Sequence, residues 1–325
     1  MIQAAGKTDI GLVRKLNEDS IKLLSNQKLF IVCDGMGGHS AGEVASKTAC
    51  DIIANLYKQY YNELLNDDQL KLPRMFPPST DILVKAVRIA NHWIYKKSSE
   101  NPSLQGMGTT IVAAAVEKDI VTLLHVGDSR IYRLASRKLY PLTIDHSWAA
   151  ELEQSEKITA EEAKTLVNRN VITRALGVKQ NVEIDVAVKK IQENDIYILC
   201  SDGLCGFVDD GDIRDVAVAC EEDVDQICNQ LVRLANERGG SDNVSIVAFR
   251  INGKVEPSAL PSLDTVTVDG ESSQYFSGEE EWAAKSEDGD DDDKEDDSKS
   301  KGFSIISAIF IITLLAAIFY LVFKG

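Results

Sequence analysis

The stretch that decides the fold is LFIVCDGMGG, residues 29–38, in which an apolar run leads directly into an Asp-Gly pair. Three further apolar runs lie next to an aspartate in a Gly- or Ser-bearing turn, at 121–130, 196–203 and 239–247. Short β-rich runs bounded by Gly, Ser and Asp are typical of strands that end in turns. Aspartates at several strand ends can meet at one edge of a sheet, where a hard cation such as Mg²⁺ or Mn²⁺ relieves their mutual repulsion.

Each of these sites taken alone has a simpler interpretation. Asp-Gly between two strands is the ordinary signal of a hairpin turn, and it needs no metal. Four such sites in one chain, together with a fifth acidic cluster in GLVRKLNEDS (residues 11–20), favour a shared cation site.

The remaining pattern predicts an α+β fold, an antiparallel β-sandwich flanked by helices. Apolar runs predict strands at 2–9, 20–25, 28–33, 109–117, 120–126, 129–134, 183–188, 195–200 and 244–251. Helical periodicity predicts helices at 41–66, 79–99, 147–154, 159–167, 211–219 and 223–238. Because the strands come in runs with helices grouped between them, a sandwich is favoured over a parallel doubly wound sheet.

Composition excludes several classes of protein. The 325 residues carry a formal net charge of −16, which argues against nucleic-acid binding because that needs a basic surface. The six cysteines form no Cys-x-x-Cys pair and the four histidines have no zinc-ligand spacing. The chain begins without a basic-then-apolar leader, so we expect neither a secretory signal nor a disulfide framework.

The C-terminal fifth differs in composition from the rest. Residues 253–302 contain 16 acidic and 5 basic side chains, and this composition predicts an acidic, disordered linker. An acidic calcium site or a segment that docks a partner are the alternatives for it. Residues 303–323 contain no charged side chain and, as a helix, span about 31 Å, the thickness of a bilayer's hydrocarbon core. We therefore expect a C-terminal transmembrane helix that anchors residues 1–252 at the cytoplasmic side of the cell membrane.

Six motifs in order carry a resemblance to a known family. They are GLVR with NED (11–19), DGMGGH (34–39), GMGTT (106–110), HVGDSR (125–130), SDGL (201–204) and SDNV (241–244). Together they resemble the metal-dependent protein phosphatase 2C family, most closely its bacterial branch, over residues 1 to about 252. The resemblance implies two packed antiparallel sheets flanked by helices, with the metal ions at one edge. It also implies that a metal-activated water hydrolyses phosphoserine and phosphothreonine on cytoplasmic or membrane-associated proteins, in opposition to serine/threonine kinases.

The resemblance also implies roles for individual residues. Two Mn²⁺ or Mg²⁺ ions would be bridged by Asp34. Asp202 and Asp242 would complete the first site, and the Gly35 carbonyl and Glu18 would serve the second. A third ion would be held by Asp128 with Asp202.

Residues around the ions have implied roles as well. Arg14 would clamp the phosphoryl group, since a guanidinium can hold two oxygens at once. Asp19 and Asn243 would orient ligands or waters, although for Asn243 a turn role is an equal alternative.

The chain departs from animal members of the family at one position. They carry a histidine directly after the Asp-Gly pair, proposed as the general acid, and this chain has Met36 there. His39 and a water on a third metal ion are the two alternatives for the proton donor.

Residues 141–180 are polar and helical in pattern. They predict either a mobile flap of the kind that bacterial members carry or a plain helical connector.

The leading hypothesis is a membrane-anchored serine/threonine protein phosphatase, and we expect it to be a monomer. A phosphatase dedicated to one regulatory protein and a catalytically inactive membrane scaffold are the alternatives. A structural calcium-binding domain is a further one, but the chain lacks a twelve-residue loop of acidic ligands.

Overall fold

The computed structural model describes residues 2–38, 41–65, 76–155, 157–159, 162 and 171–269. The described strands are β1 (Ile2–Asp9), β2 (Asp19–Leu24), β3 (Leu29–Met36), β4 (Gly108–Thr109), β5 (Ile111–Glu117), β6 (Ile120–Val126), β7 (Arg130–Ala135), β8 (Lys138–Pro141), β9 (Ile184–Lys190), β10 (Ile196–Cys200), β11 (Val244–Ile251) and β12 (Leu263–Val268). The described helices are α1 (Ala41–Leu65), α2 (Pro78–Glu100), α3 (Trp148–Gln154), α4 (Asp202–Cys205), α5 (Asp210–Ala219) and α6 (Val224–Glu237).

The strands form two sheets whose neighbours are all antiparallel. One sheet has the order β1-β11-β10-β7-β8, and the other has the order β12-β9-β6-β5-β3-β2, with β4 paired to the end of β3. This arrangement confirms the predicted antiparallel sandwich and all nine predicted strands.

The core between the sheets is built from the alternating apolar residues of both. Phe30 of β3 stacks on Phe249 of β11 with ring centroids 4.3 Å apart, and Phe249 also stacks on Tyr197 of β10 at 4.9 Å. Helices cover the outer faces: α5 and α6 bury Ile213 and Leu231 against the five-stranded sheet, whereas α1 and α2 contact β2, β3 and β5. Both faces of each sheet are thus covered, which explains why the strands have continuous apolar runs.

One predicted strand end differs from the structure in a way that matters for the site. The sequence predicted that the strand stops at residue 33 and that Asp34 lies in a turn. β3 instead continues to Met36, because Gly35 and Met36 pair with Thr109 and Gly108 of β4. Asp34 is therefore held within a strand, with its backbone fixed on both sides.

The C-terminal segment also differs from its prediction. Residues 263–268, which we assigned to a disordered linker, form β12 and pair with β9. Their sequence, Leu-Asp-Thr-Val-Thr-Val, is rich in β-branched residues, a local signal that the acidic composition of the whole segment obscured.

Three predictions concern other parts of the chain. The predicted linker after residue 269, the predicted transmembrane helix at 303–323 and most of the helix predicted at 159–167 lie outside the described residues. Among the residues that are described, no helix combines the length and the apolar composition needed to cross a bilayer.

Candidate metal centre

Six carboxylates from separate parts of the sequence come together at one edge of the sandwich. We refer to them as the carboxylate cluster: Glu18, Asp19, Asp34, Asp128, Asp202 and Asp242. Asp19 and Asp34 lie opposite each other on β2 and β3. Asp202 follows β10, and Asp242 precedes the neighbouring strand β11. The antiparallel order of β10 and β11 places the end of one beside the start of the other, as the sequence predicted.

The backbone of Asp34 is fixed by two threonines. The Asp34 carbonyl accepts hydrogen bonds from the Thr110 amide (2.8 Å) and the Thr109 hydroxyl (2.9 Å), and the Asp34 amide donates to the Thr110 hydroxyl (3.1 Å). Sequence reasoning noticed the motif that contains these threonines but gave them no role. These hydrogen bonds fix the backbone of Asp34, so its side chain projects from a rigidly held strand.

The loop that carries Arg14 and Glu18 is tied down by Asn243. The Asn243 side-chain oxygen accepts from the Glu18 amide at 2.8 Å, and its nitrogen donates to the carbonyls of Ile10 (2.9 Å) and Leu16 (3.0 Å). Both N–H donors and the oxygen of this buried amide therefore bond to the loop. Its side-chain hydrogen bonds are thus all to the backbone of the loop that carries Glu18.

The Asp19 carboxylate is held by Ser201, which is in turn fixed by Ser245. The Ser201 hydroxyl donates to the Asp19 carboxylate at 2.8 Å and accepts from the Ser245 amide at 3.0 Å. Ser201 directly precedes Asp202, so the same residue links β2 to the start of α4, where Asp202 lies. Burial raises the pKa of Asp19 to about 7, and the Ser201 hydrogen bond limits that rise.

The electrostatics of the cluster are those of like charges removed from water. Burial raises the pKa of Asp128 to about 7, and Asp202 adds to that rise. The pKa of Asp34 is well above its usual range because of desolvation and the charges of Asp19, Asp202 and Asp128. Protons thus relieve a repulsion that a divalent cation would relieve more strongly.

Two further observations fit a cation with oxygen ligands. Among the described residues, Oδ1 of Asp128, Oε1 of Glu18 and Oδ1 of Asp19 are buried without a hydrogen-bond partner. Such orphaned acceptors are costly unless something binds them. In addition, a Cβ on Gly35 would lie 2.1 Å from the Gly42 carbonyl oxygen, so no other residue fits there. The donor set and its close backbone packing are what a hard divalent ion requires.

Arg14 lies at the rim of the cluster. Its guanidinium donates to Oδ2 of Asp242 at 2.9 Å, and 46% of its side chain is exposed. It therefore combines a fixed position next to the carboxylates with access to solvent, where an incoming anion would arrive.

One candidate for the general acid falls on a part of the chain that the structure does not describe. His39 lies outside the described residues. Met36, which stands where animal relatives have a histidine, ends β3 and pairs with Gly108.

Comparisons with known proteins show which proteins the chain is similar to. A family model described as Protein phosphatase 2C matches residues 13–246. The chain is 34% identical over 254 residues to the serine/threonine phosphatase stp of Listeria welshimeri, covering 77% of this chain and 96% of that protein.

Solved structures resemble the chain as well. The catalytic domain of the phosphatase PstP in complex with two manganese ions is 34% identical, with a TM-score of 0.65, and the match covers 78% of this chain and 99% of that one. The serine/threonine phosphatase Stp1 from Staphylococcus aureus is also 34% identical, with a TM-score of 0.67 and coverage of 78% and 96%.

Proposed function

The chain belongs to the protein phosphatase 2C family, and we propose that its reaction is the metal-dependent hydrolysis of phosphoserine and phosphothreonine in proteins. The predicted family is thereby confirmed, and with it the enzyme class, a phosphoric monoester hydrolase. The observation that carries the proposal is the carboxylate cluster with its orphaned oxygens. All six of its residues fall within the range that the family model matches.

The cofactors are Mn²⁺ or Mg²⁺ ions. We assign the bridging position to Asp34, the first site also to Asp202 and Asp242, the second also to Glu18 and the Gly35 carbonyl, and a third position to Asp128 with Asp202. Bound divalent ions would neutralise the phosphoryl oxygens and lower the pKa of the attacking water.

The protein's own contribution is to position the substrate. Arg14 can donate two parallel hydrogen bonds to the phosphoryl group, and its contact with Asp242 limits the directions in which the guanidinium points. Asn243 fixes the loop on which Arg14 lies, so its three hydrogen bonds serve phosphate binding indirectly. Asp19, anchored by Ser201, supports the strand position next to Asp34.

The proton for the leaving alkoxide comes from His39 or from solvent ordered at Asp128. If Asp128 is responsible, Asp128→Ala impairs turnover of a phosphothreonine peptide, whose leaving group is poor, much more than turnover of p-nitrophenyl phosphate. His39→Ala is then mild on both substrates. A large loss with His39→Ala that depends on the leaving group, with a silent Asp128→Ala, assigns the acid to His39 instead.

The test of the proposed reaction uses the full chain in detergent. We expect Mn²⁺-dependent hydrolysis of both p-nitrophenyl phosphate and a phosphothreonine peptide, loss of both activities with EDTA, and recovery when Mn²⁺ is added back. Undiminished turnover in metal-free buffer contradicts the proposed metal centre.

We further propose that residues 303–323 anchor the enzyme in the cell membrane with its catalytic domain in the cytoplasm. This uncharged stretch of 21 residues is long enough to span the hydrocarbon core, and Lys299 and Lys301 precede it. An anchored enzyme would act preferentially on membrane-associated phosphoproteins, including serine/threonine kinases and their substrates.

Cell fractionation and protease protection test this anchor. The full chain should stay with membranes in high salt, and deletion of 303–325 should release it. Release of the full chain by high salt, or digestion of the catalytic domain by protease added outside intact cells, contradicts the proposal.

A further inference from the structure

Strand β12 lies beyond the part of the chain that the family model matches. That match ends at residue 246, and β12 spans Leu263–Val268. It pairs antiparallel with β9 and forms the outer strand of its sheet. The segment before β12 is tied to the turn between β5 and β6, because Asp119 accepts from the Ser258 amide at 2.9 Å. Lys190 of β9 adds to this, since its ammonium donates to Asp119 at 2.7 Å and to the Ser258 carbonyl at 3.2 Å. The strand is thus attached at a defined place.

Thr267 on β12 makes a side-chain contact across the strand pair. It lies opposite Asp185 of β9, and its hydroxyl donates to Oδ1 of Asp185 at 2.8 Å. The other carboxylate oxygen of Asp185 lies 3.3 Å from Nε2 of His146. Burial alone would raise the pKa of Asp185, but the hydrogen bonds from His146 and Thr267 lower it to about 2.

His146 in turn forms hydrogen bonds with the backbone next to a predicted metal ligand. Its Nδ1 accepts from the Gly127 amide at 3.2 Å, and its own backbone amide donates to the Gly127 carbonyl at 2.8 Å. Because Nδ1 is an acceptor, the ring proton is on Nε2, which donates to Asp185. Gly127 directly precedes Asp128. A Cβ on Gly127 would lie 2.6 Å from Cβ of Thr110, the residue that fixes Asp34.

These contacts could also suggest a separate metal site, since ligand atoms of His125, His146 and Asp185 lie within 4.8 Å of one another. Two observations favour hydrogen bonding instead. Nε2 of His125 is 2.8 Å from the Ile144 carbonyl oxygen. The Arg174 guanidinium lies 3.3 Å from Asp185 and 3.5 Å from Nε2 of His146. A fixed positive charge there disfavours a second cation.

We propose that β12 is a positioning element for the Asp128 turn. Thr267 orients Asp185, Asp185 orients His146, and His146 fixes Gly127, so the C-terminal extension sets the geometry of the third metal position. We call these three side chains the relay: Thr267, Asp185 and His146. The proposal rests on the assignment of Asp128 as a metal ligand, but the fixed turn itself can be measured without metal.

The test compares two threonines of the same strand in the full chain. Thr267→Val removes the hydroxyl and keeps a β-branched side chain of similar shape. Thr265→Val is the matched control, since Thr265 is exposed and makes no side-chain hydrogen bond among the residues that the structure describes. Thr267→Ser restores the hydroxyl. Equal melting temperatures of the three variants in EDTA show that β12 stays in place.

The direct readout is hydrogen exchange in EDTA, which does not depend on catalysis. Loss of one hydrogen bond in the relay should speed exchange of the Gly127 amide by about three- to tenfold. It should also weaken the weakest Mn²⁺ site by a similar factor in titration calorimetry and lower kcat on phosphopeptide with KM unchanged. Thr265→Val should change none of these, and Thr267→Ser should recover most of the loss.

The outcomes separate this proposal from the proposed function. Unchanged exchange at residues 125–130 in Thr267→Val, with β12 in place, overturns the relay even if the enzyme is an Mn²⁺-dependent phosphatase. Faster exchange in an enzyme that needs no metal supports the fixed turn and contradicts the metal assignment of Asp128.

Discussion

The carboxylate cluster and the relay lie on either side of Gly127, and the fold shifts the pKa values of their aspartates in opposite directions. In the cluster, burial and neighbouring carboxylates raise the pKa of Asp128 to about 7. In the relay, hydrogen bonds from His146 and Thr267 outweigh burial and hold the pKa of Asp185 at about 2. The cluster is therefore incomplete without an added cation, whereas the relay is neutralised by the protein itself. Such a difference distinguishes a site that binds a cation from a group of residues that supports the structure around it.

The largest effect in this comparison is expected from Asp34→Asn. Loss of the bridging carboxylate should lower kcat on phosphopeptide by at least about a hundredfold. The same change removes one of the repelling charges, so in EDTA the variant should melt at a higher temperature than the wild type. Steady-state kinetics and thermal melts measure the two effects. A variant that loses both activity and stability would show that Asp34 serves the fold rather than the metal.

Arg14 offers the next largest effect. Arg14→Ala should lower kcat/KM for phosphopeptide by about 10- to 100-fold, because a charged hydrogen bond to the phosphoryl group is lost. Arg14→Lys should recover only part of this, since an ammonium cannot form the paired contact. The melting temperature should change little because nearly half of the side chain is exposed and ion pairs of this kind contribute little to stability. Kinetics like those of the wild type in Arg14→Ala would place the phosphate clamp elsewhere.

A smaller effect is the dependence of stability on pH, which should come from the carboxylate cluster and not from the relay. Asp19 and Asp128 have pKa values of about 7 in the fold against 3.8 as their ordinary value, so the folded protein binds more protons between these limits. Stability in EDTA should thus fall as the pH rises from about 4 through 7. Stabilisation by Mn²⁺ should be several degrees larger at pH 8 than at pH 6, because the ion then meets ionised carboxylates. Melting curves at the two pH values, each with and without Mn²⁺, give the answer, and an equal Mn²⁺ effect at both contradicts the raised pKa values.

Sequence patterns predicted four of the six members of the carboxylate cluster because each is attached to a local signal, whereas Glu18 and Asp19 were assigned through the family resemblance. An apolar run next to Asp and Gly marks a strand end, and antiparallel pairing brings such ends to one edge. The relay had no such signal. Asp185 and Thr267 are 82 positions apart in the chain and meet only through the register of β9 and β12. The threonines that fix Asp34 were visible as a motif, but their role depends on β4, a strand of two residues that is too short to predict.

The smallest effect should come from the relay itself. Asp185→Asn keeps the shape of the side chain but removes the charge that faces His146 and Arg174. We expect a loss of about 1–3 kcal/mol in the free energy of unfolding. The lowered pKa of Asp185 means that its stabilising contribution is present above pH 3.8 and is lost only as the pH falls towards 2. Denaturant melts in EDTA should therefore give the same difference between wild type and variant at pH 6 and at pH 8, whereas the stability of both proteins falls over that interval through Asp19 and Asp128. A difference that itself changes across this interval would mean that the relay titrates together with the cluster, and the two regions would then be one electrostatic unit joined through Gly127.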